Sequence, residues 1–119
     1  MNIGESGKFG EDKAAEYLRN KGYKIIRRNF SCRAGEIDII AEDERYLVFA
    51  EVKLRKNDRY GEAREFVNTS KQQKIIKTAS LFLSRYETEK QPRFDVIEVY
   101  APKGILSGVT VNHLENAFM

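Results

Sequence analysis

The chain holds one cysteine, Cys32, and one histidine, His113, among 119 residues. A single thiol excludes an intramolecular disulfide and Cys-rich zinc ligation, and it suits a reducing cytoplasm. A single histidine excludes paired-His metal spacing, and His113 reads as a surface or partly buried side chain with no assigned role. There are only two prolines, Pro92 and Pro102, so little marks a domain boundary. Repeats, low-complexity tracts and linkers are absent. No apolar run approaches the length of a membrane span, and Met1-Asn2-Ile3-Gly4-Glu5 lacks a signal core. These absences lead us to expect one domain over residues 1–119, located in the cytoplasm, with no membrane partner.

Charge, by contrast, is plentiful. Charged residues make up 33% of the chain, with a net charge of +3. The apolar residues still cluster periodically, which argues against disorder. Positive charge is patchy. Arg19, Lys21, Lys24, Arg27, Arg28 and Arg33 crowd one stretch. Lys53, Arg55, Lys56, Arg59 and Arg64, followed by Lys71, Lys74 and Lys77, form another. Such patches fit a polyanion, although any single lysine is more often a solvated side chain.

Periodicity gives the elements. Residues 8–21 read as a helix stopped by Gly22. Its apolar face carries Ala14, Ala15, Tyr17 and Leu18, with Glu11 near the middle, whereas Asp12 and Glu16 point elsewhere. Residues 23–30 read as a strand and 31–34 as a turn. Residues 36–41 and 46–54 read as an antiparallel hairpin around the acidic turn at 42–45. Residues 55–69 form a loop containing Gly61, with a short helical turn at 62–66. A second helix runs to about residue 86, capped by Thr69 or Ser70, with a stripe of Ile75, Ile76, Ala79, Phe82, Leu83 and Tyr86. Residues 93–100 and 108–114 read as the last strands. The order predicts an α/β fold, a mixed β-sheet flanked by helices.

Ionisable residues inside apolar strands are the chemical signal. Gly35-Glu36-Ile37-Asp38-Ile39-Ile40 and Val48-Phe49-Ala50-Glu51-Val52-Lys53 read as strands buried on two faces. A charge there loses hydration, at several kcal/mol unless a partner or metal compensates. Glu51 and Lys53 are two apart and share a face. Asp38 and Glu51 are hard oxygen ligands suited, with waters, to Mg2+ or Mn2+. Lys53 could orient or deprotonate a water, or neutralise transition-state charge. The competing interpretation is an internal ion pair. Two acids on adjacent strands, a lysine and a third acid on the helix stripe weigh against it. Glu36 lies on the Asp38 side but begins its strand. Tyr60 alone is weak evidence for base stacking.

These residues carry a resemblance. Asp-(x)n-Glu-x-Lys after an α-β-β entry resembles the PD-(D/E)XK nuclease superfamily. Further segments are Gly10-Glu11-Asp12-Lys13-Ala14-Ala15-Glu16-Tyr17-Leu18, Gly22-Tyr23, Arg28-Asn29-Phe30, Leu54-Arg55 and Arg93-Phe94-Asp95-Val96. Together with the two strand motifs they look like the YraN-type family of small bacterial predicted nucleases, distantly similar to archaeal Holliday-junction resolvases. The resemblance implies a restriction-endonuclease-like fold with an αβββαβ core. It implies phosphodiester hydrolysis dependent on Mg2+ or Mn2+, with Asp38 and Glu51 as metal ligands and Lys53 beside the attacking water. Glu11 matches the first-helix acid of the resolvase branch and joins the catalytic set. Ile37 stands where the superfamily label has proline, and Leu54 where the branch often has threonine. The expected substrate is branched or structured nucleic acid, DNA in preference to RNA. Arg55, Lys56, Arg59, Lys71 and Gln72 are the candidate nucleic-acid contacts. A homodimer follows only by analogy with resolvases that cut two strands symmetrically. The alternatives are a non-catalytic nucleic-acid-binding or adaptor protein on the same fold, and a structural domain whose charges pair internally.

Overall fold

The computed structural model describes residues 3–55, 68–101 and 108–118. Helix α1 spans Ile3–Asn20. It starts earlier than residue 8, because one glycine in a helix costs only about 1 kcal/mol and Gly4 and Gly7 are tolerated. Its end follows expectation. Gly22 takes φ +99°, and the Tyr23 N–H donates to the Leu18 carbonyl at 2.9 Å. This is a left-handed glycine stop that satisfies late carbonyls.

Strands β1 (Lys24–Cys32), β2 (Gly35–Glu42) and β3 (Tyr46–Arg55) follow. Helix α2 spans Thr69–Leu83, then β4 (Gln91–Tyr100) and β5 (Thr110–Leu114). The sheet order is β1-β2-β3-β4-β5. All neighbours are antiparallel except β3 and β4, which run parallel because α2 lies between them in sequence. Among the described residues the result is a mixed five-stranded sheet with two helices, consistent with a restriction-endonuclease-like core.

Alternation along β3 assigns the helices to opposite faces. Leu47 and Phe49 pack with Ile75, Ala79 and Phe82 of α2. Val48 and Ala50 pack with Ala14, Ala15 and Leu18 of α1. Period-two side-chain direction means that β3 is buried on both sides. Gly35 lets β2 begin hard against α2: a Cβ there would lie 3.2 Å from Thr78 Oγ1.

Two boundaries of α2 differ from the sequence reading. The cap is Asn68, whose side chain accepts from the Lys71 N–H, and the helix stops at Leu83. A side-chain oxygen one residue upstream reaches the first free amides as well as Thr69 would. Of the expected loop at 55–69, Arg55 belongs instead to β3 and Thr69 to α2. Residues 56–67, which include the helical turn expected at 62–66, lie outside the described residues. Phe49 is fully buried, with ring centroids 5.5 Å from Phe94 and 6.1 Å from Phe82. Phe49→Ala should therefore destabilise the fold by about 3–5 kcal/mol in equilibrium urea unfolding.

Candidate functional site

The site forms where the sheet is irregular. Pairing between β2 and β3 runs from Glu42↔Leu47 to Ile39↔Ala50 and includes no pair beyond. Past that point the Val52 N–H donates to Asp38 Oδ2 at 2.8 Å. A side chain thus replaces the missing ladder acceptor, as a half-buried amide requires. On the other side of β2, the β1 register sets Asn29 opposite Asp38, between the pairs Arg28↔Ile39 and Phe30↔Ile37. Asn29 has φ 53°, a left-handed conformation that asparagine tolerates better than most residues. The disturbance also breaks the alternation of β2. Ile37 and Ile40 both join the α2-side core, while Ile39 and Ala41 join the α1-side core.

Asp38 therefore opens onto both faces of the sheet. One cavity, of about 630 Å³, is lined by Gly10, Glu11, Arg28, Asn29, Glu36 and Asp38 among others. Another, of about 370 Å³, is lined by Glu36, Asp38, Glu51, Asn68, Lys71 and Lys74 among others. Asp38 and Glu36 are shared between the two cavities. The sequence reading expects the side-chain tips of Asp38, Glu51 and Lys53 grouped in one cleft on adjacent strands. Asp38 and Glu51 line the second cavity together, while Lys53 is not among its lining residues and, of the two acids, approaches only Glu51.

Glu11 is buried as its helical position implied, and Glu16 is exposed. Glu11 Oε1 accepts from Arg28 Nε at 2.7 Å and from Asn29 Nδ2 at 3.0 Å. These contacts aim the carboxylate of α1 at the β1–β2 disturbance. Glu51 is 6% exposed, with Lys53 Nζ at 3.7 Å and Lys71 Nζ at 2.6 Å from its Oε1. The hairpin predicted by sequence thus delivers two acids, Asp38 and Glu51, the crossover helix delivers Lys71, which pairs with Glu51, and α1 delivers a third acid, Glu11.

The electrostatics follow from this crowding. Burial, and then the Glu51 charge, push the Asp38 carboxyl up from its ordinary value of 3.8 to about 7, with Glu11 and Glu36 adding to the push. Burial, and then the Lys71 ammonium, lower the Lys53 amine below the ordinary lysine value. Burial also opposes the Lys71 charge, but its hydrogen bond to Glu51 and the charges of Glu51 and Asp38 win and raise it. Among the described residues no three His, Cys, Asp or Glu side chains form a ready metal cage. The donor chemistry nevertheless fits a hard divalent cation, because two carboxylates with waters or phosphate oxygens are the usual Mg2+ environment. Glu51 has two ammonium groups beside it, whereas the Asp38 carboxyl, pushed up by burial and by Glu51, is the acid short of positive charge.

The expected nucleic-acid contacts divide. Lys71 lines the cleft. Arg55 lies beyond Lys53 and sits 3.6 Å from the fully buried Glu98. Gln72 follows Lys71 on α2. Lys56 and Arg59 lie outside the described residues, as does Tyr60. The sequence reading missed Lys8, Arg28, Asn29, Asn68 and Lys74 as cleft-lining groups. Arg28 and Asn29 belong to the motif Arg28-Asn29-Phe30, yet only their approach to Glu11 gives them a place.

It also missed a polar cluster around β4. Asp95 is fully buried. It accepts from Arg93 Nε at 2.9 Å, Arg93 Nη2 at 2.8 Å and the Asn116 N–H at 3.0 Å, with His113 Nε2 at 2.6 Å. Arg93 also donates to Tyr23 Oη at 2.7 Å. Burial pushes the Asp95 carboxyl up, but these hydrogen bonds and the Arg93 charge hold it below the ordinary carboxylate value. His113, read as a surface or partly buried side chain, is only 2% exposed, because β5 lays it against this acid. The same rule that singled out Asp38 would have flagged Asp95 and Glu98 inside Arg93-Phe94-Asp95-Val96-Ile97-Glu98.

The Asp38 shift has a measurable consequence. The folded form keeps a proton that the unfolded chain releases between pH 3.8 and about 7. Stability associated with Asp38 is thus present below this window and is lost as pH rises through it. Asp38→Asn keeps an acceptor for Val52 without the charge. In metal-free buffer it should be more stable than the parent above pH 7, with the advantage disappearing toward pH 4, as thermal unfolding across pH would show.

Residues 10–99 match the uncharacterised protein family UPF0102. A UPF0102 protein of Caldanaerobacter subterraneus subsp. tengcongensis is 47% identical over 113 residues, covering 94% of this chain and 93% of the relative. One from Persephonella marina is 46% identical, covering 94% and 91%. One from Clostridioides difficile is 44% identical, covering 99% and 100%. These matches agree with the YraN-type resemblance of the motifs, and the chain belongs to the UPF0102 family.

Proposed function

We propose that this protein is a divalent-metal-dependent endonuclease acting on branched or structured nucleic acid, DNA in preference to RNA. The observation that carries the reading is the meeting of Asp38 and Glu51 where β2 and β3 part, in a cleft lined by Lys71 and Lys74, with Lys53 beside Glu51. Asp38 and Glu51 would hold Mg2+ or Mn2+. When bound, such an ion polarises a phosphate and lowers the pKa of water. Lys53, whose burial favours the neutral amine, sits beside Glu51 to orient the attacking water or accept its proton at Nζ. Lys71 and Lys74 line the same cavity as the two acids and are placed to meet phosphate oxygens. Glu11, held by Arg28 and Asn29, borders the other side of Asp38.

A second reading, a nucleic-acid-binding or adaptor protein without catalysis, draws on one observation. Glu51 already has an ammonium partner at 2.6 Å, so the acidic pair is partly neutralised from within. A homodimer belongs to the nuclease reading, since two strands of a junction require two sites.

A cleavage screen of junction, flap, duplex and single-stranded substrates with Mg2+ and Mn2+ tests the assignment. The parent should cut at least one structured substrate, and Glu51→Gln should cut at least about 100-fold more slowly. In chelator, Glu51→Gln should bind nucleic acid as well as the parent or better, because it removes a negative charge facing phosphate. Lys53→Met should lose cleavage without that gain in binding. Full cleavage by Glu51→Gln would defeat the nuclease reading, and no cleavage by the parent on any substrate would favour the adaptor.

Glu11 provides a separate test of the cleft. Glu11→Gln should slow metal-dependent cleavage, whereas Glu16→Gln on the exposed face should not. Equal rates for both variants would remove Glu11 from the site.

A further inference from the structure

The ammonium of Lys71 lies 2.6 Å from Glu51 Oε1, closer than Lys53 at 3.7 Å. The two lysines differ in freedom. Lys53 stands two residues from Glu51 on the same strand, with its side chain 26% exposed. Lys71 comes from the first turn of α2, and its side chain is 45% exposed. Its four-carbon stem can swing without moving backbone, as a lysine on a helix surface does. Glu51 itself is almost wholly buried. An acid so placed needs a positive partner, and Lys71 supplies it.

We propose that Lys71 is a resident cation of the acidic site, one that a divalent metal must displace from Glu51 and that then engages a substrate phosphate. The inference rests on the metal reading of Asp38 and Glu51 and adds a role for α2. A metal at Glu51 and the ammonium at Glu51 compete for the negative charge of one carboxylate. Once displaced, the ammonium has a destination. The cavity containing Glu51 is also lined by Asn68, Ser70 and Lys74 at the start of α2, and phosphate oxygens suit both lysines. Metal and nucleic acid then assist one another. Substrate draws Lys71 off Glu51, and metal releases Lys71 toward substrate. By linkage, each must raise the affinity of the other by the same factor. Without nucleic acid, Lys71 keeps the acid neutralised and metal affinity low.

Calorimetric titration with Mn2+ tests this without a cleavage assay. Lys71→Met should bind Mn2+ about fivefold more tightly than the parent, the size expected for removing one half-exposed competing ion pair. Lys71→Arg, which keeps the cation, should bind as the parent does. Adding a non-cleavable phosphorothioate dinucleotide should tighten Mn2+ binding to the parent more than to Lys71→Met. Equal or weaker Mn2+ binding by Lys71→Met, with the parent binding normally, overturns the resident-cation role and leaves the metal reading intact. No Mn2+ binding by the parent or by Lys71→Met, with or without the dinucleotide, overturns both. Lys71 is exposed at the helix start, so the variants should fold, and unchanged far-UV circular dichroism would verify it.

Discussion

Between β2 and β3 the ladder stops at Ile39↔Ala50, and the next bridge is the Val52 N–H donating to Asp38 Oδ2. That hydrogen bond lets the strands part without leaving a half-buried amide unpaired. It also fixes the Asp38 carboxylate in the gap, where cavities from both faces of the sheet meet. The parting gives Glu51 a carboxylate neighbour across the gap and gives α1 and α2 access to the same point. Had the two strands stayed paired to their ends, Asp38 would have pointed to one face only.

The charges around that gap show how one structural rule yields two outcomes. Asp38 and Asp95 both sit in apolar strands, and burial opposes the charge of each. Asp95 meets a guanidinium, an imidazole and a backbone N–H, and is held below the ordinary carboxylate value. Asp38 meets one backbone N–H and the negative charge of Glu51, and is pushed up to about 7. An acid with its acceptor sites filled ties β4, β5 and the segment after β5 together. An acid whose neighbours repel it is a place where an added cation lowers the energy. Counting donors, more than burial, separates the two.

Much of this was legible in the chain. The stripe of α1 placed Glu11 inside and Glu16 outside because a helix has one period and that stretch has one apolar face. The two-residue spacing of Glu51 and Lys53 placed them on one face because a strand alternates. The hairpin followed from a short polar turn between apolar runs. Other features had no local signature. The Asn68 cap competes with Thr69 and Ser70 in any sequence rule, and only the chain path decides among them. The left-handed Asn29, the broken alternation at Asp38 and the grip of Lys71 on Glu51 each need two or three distant segments brought together.

The sequence by itself determined the elements, their order, the family and the identity of the acids and lysine that stand in apolar strands. It could do so because periodicity, burial cost and motif order are properties of neighbouring residues. Only the tertiary structure decided which of those buried charges are satisfied and which are not. Asp95 has Arg93 two residues away on its own strand, whereas Asp38 has Glu36 and Ile40 there. The difference is completed in space: β5 brings His113 to Asp95, while the parting of β2 and β3 brings Glu51 to Asp38. Such partners lie many residues apart, and the energy of a buried charge is set by what surrounds it in space.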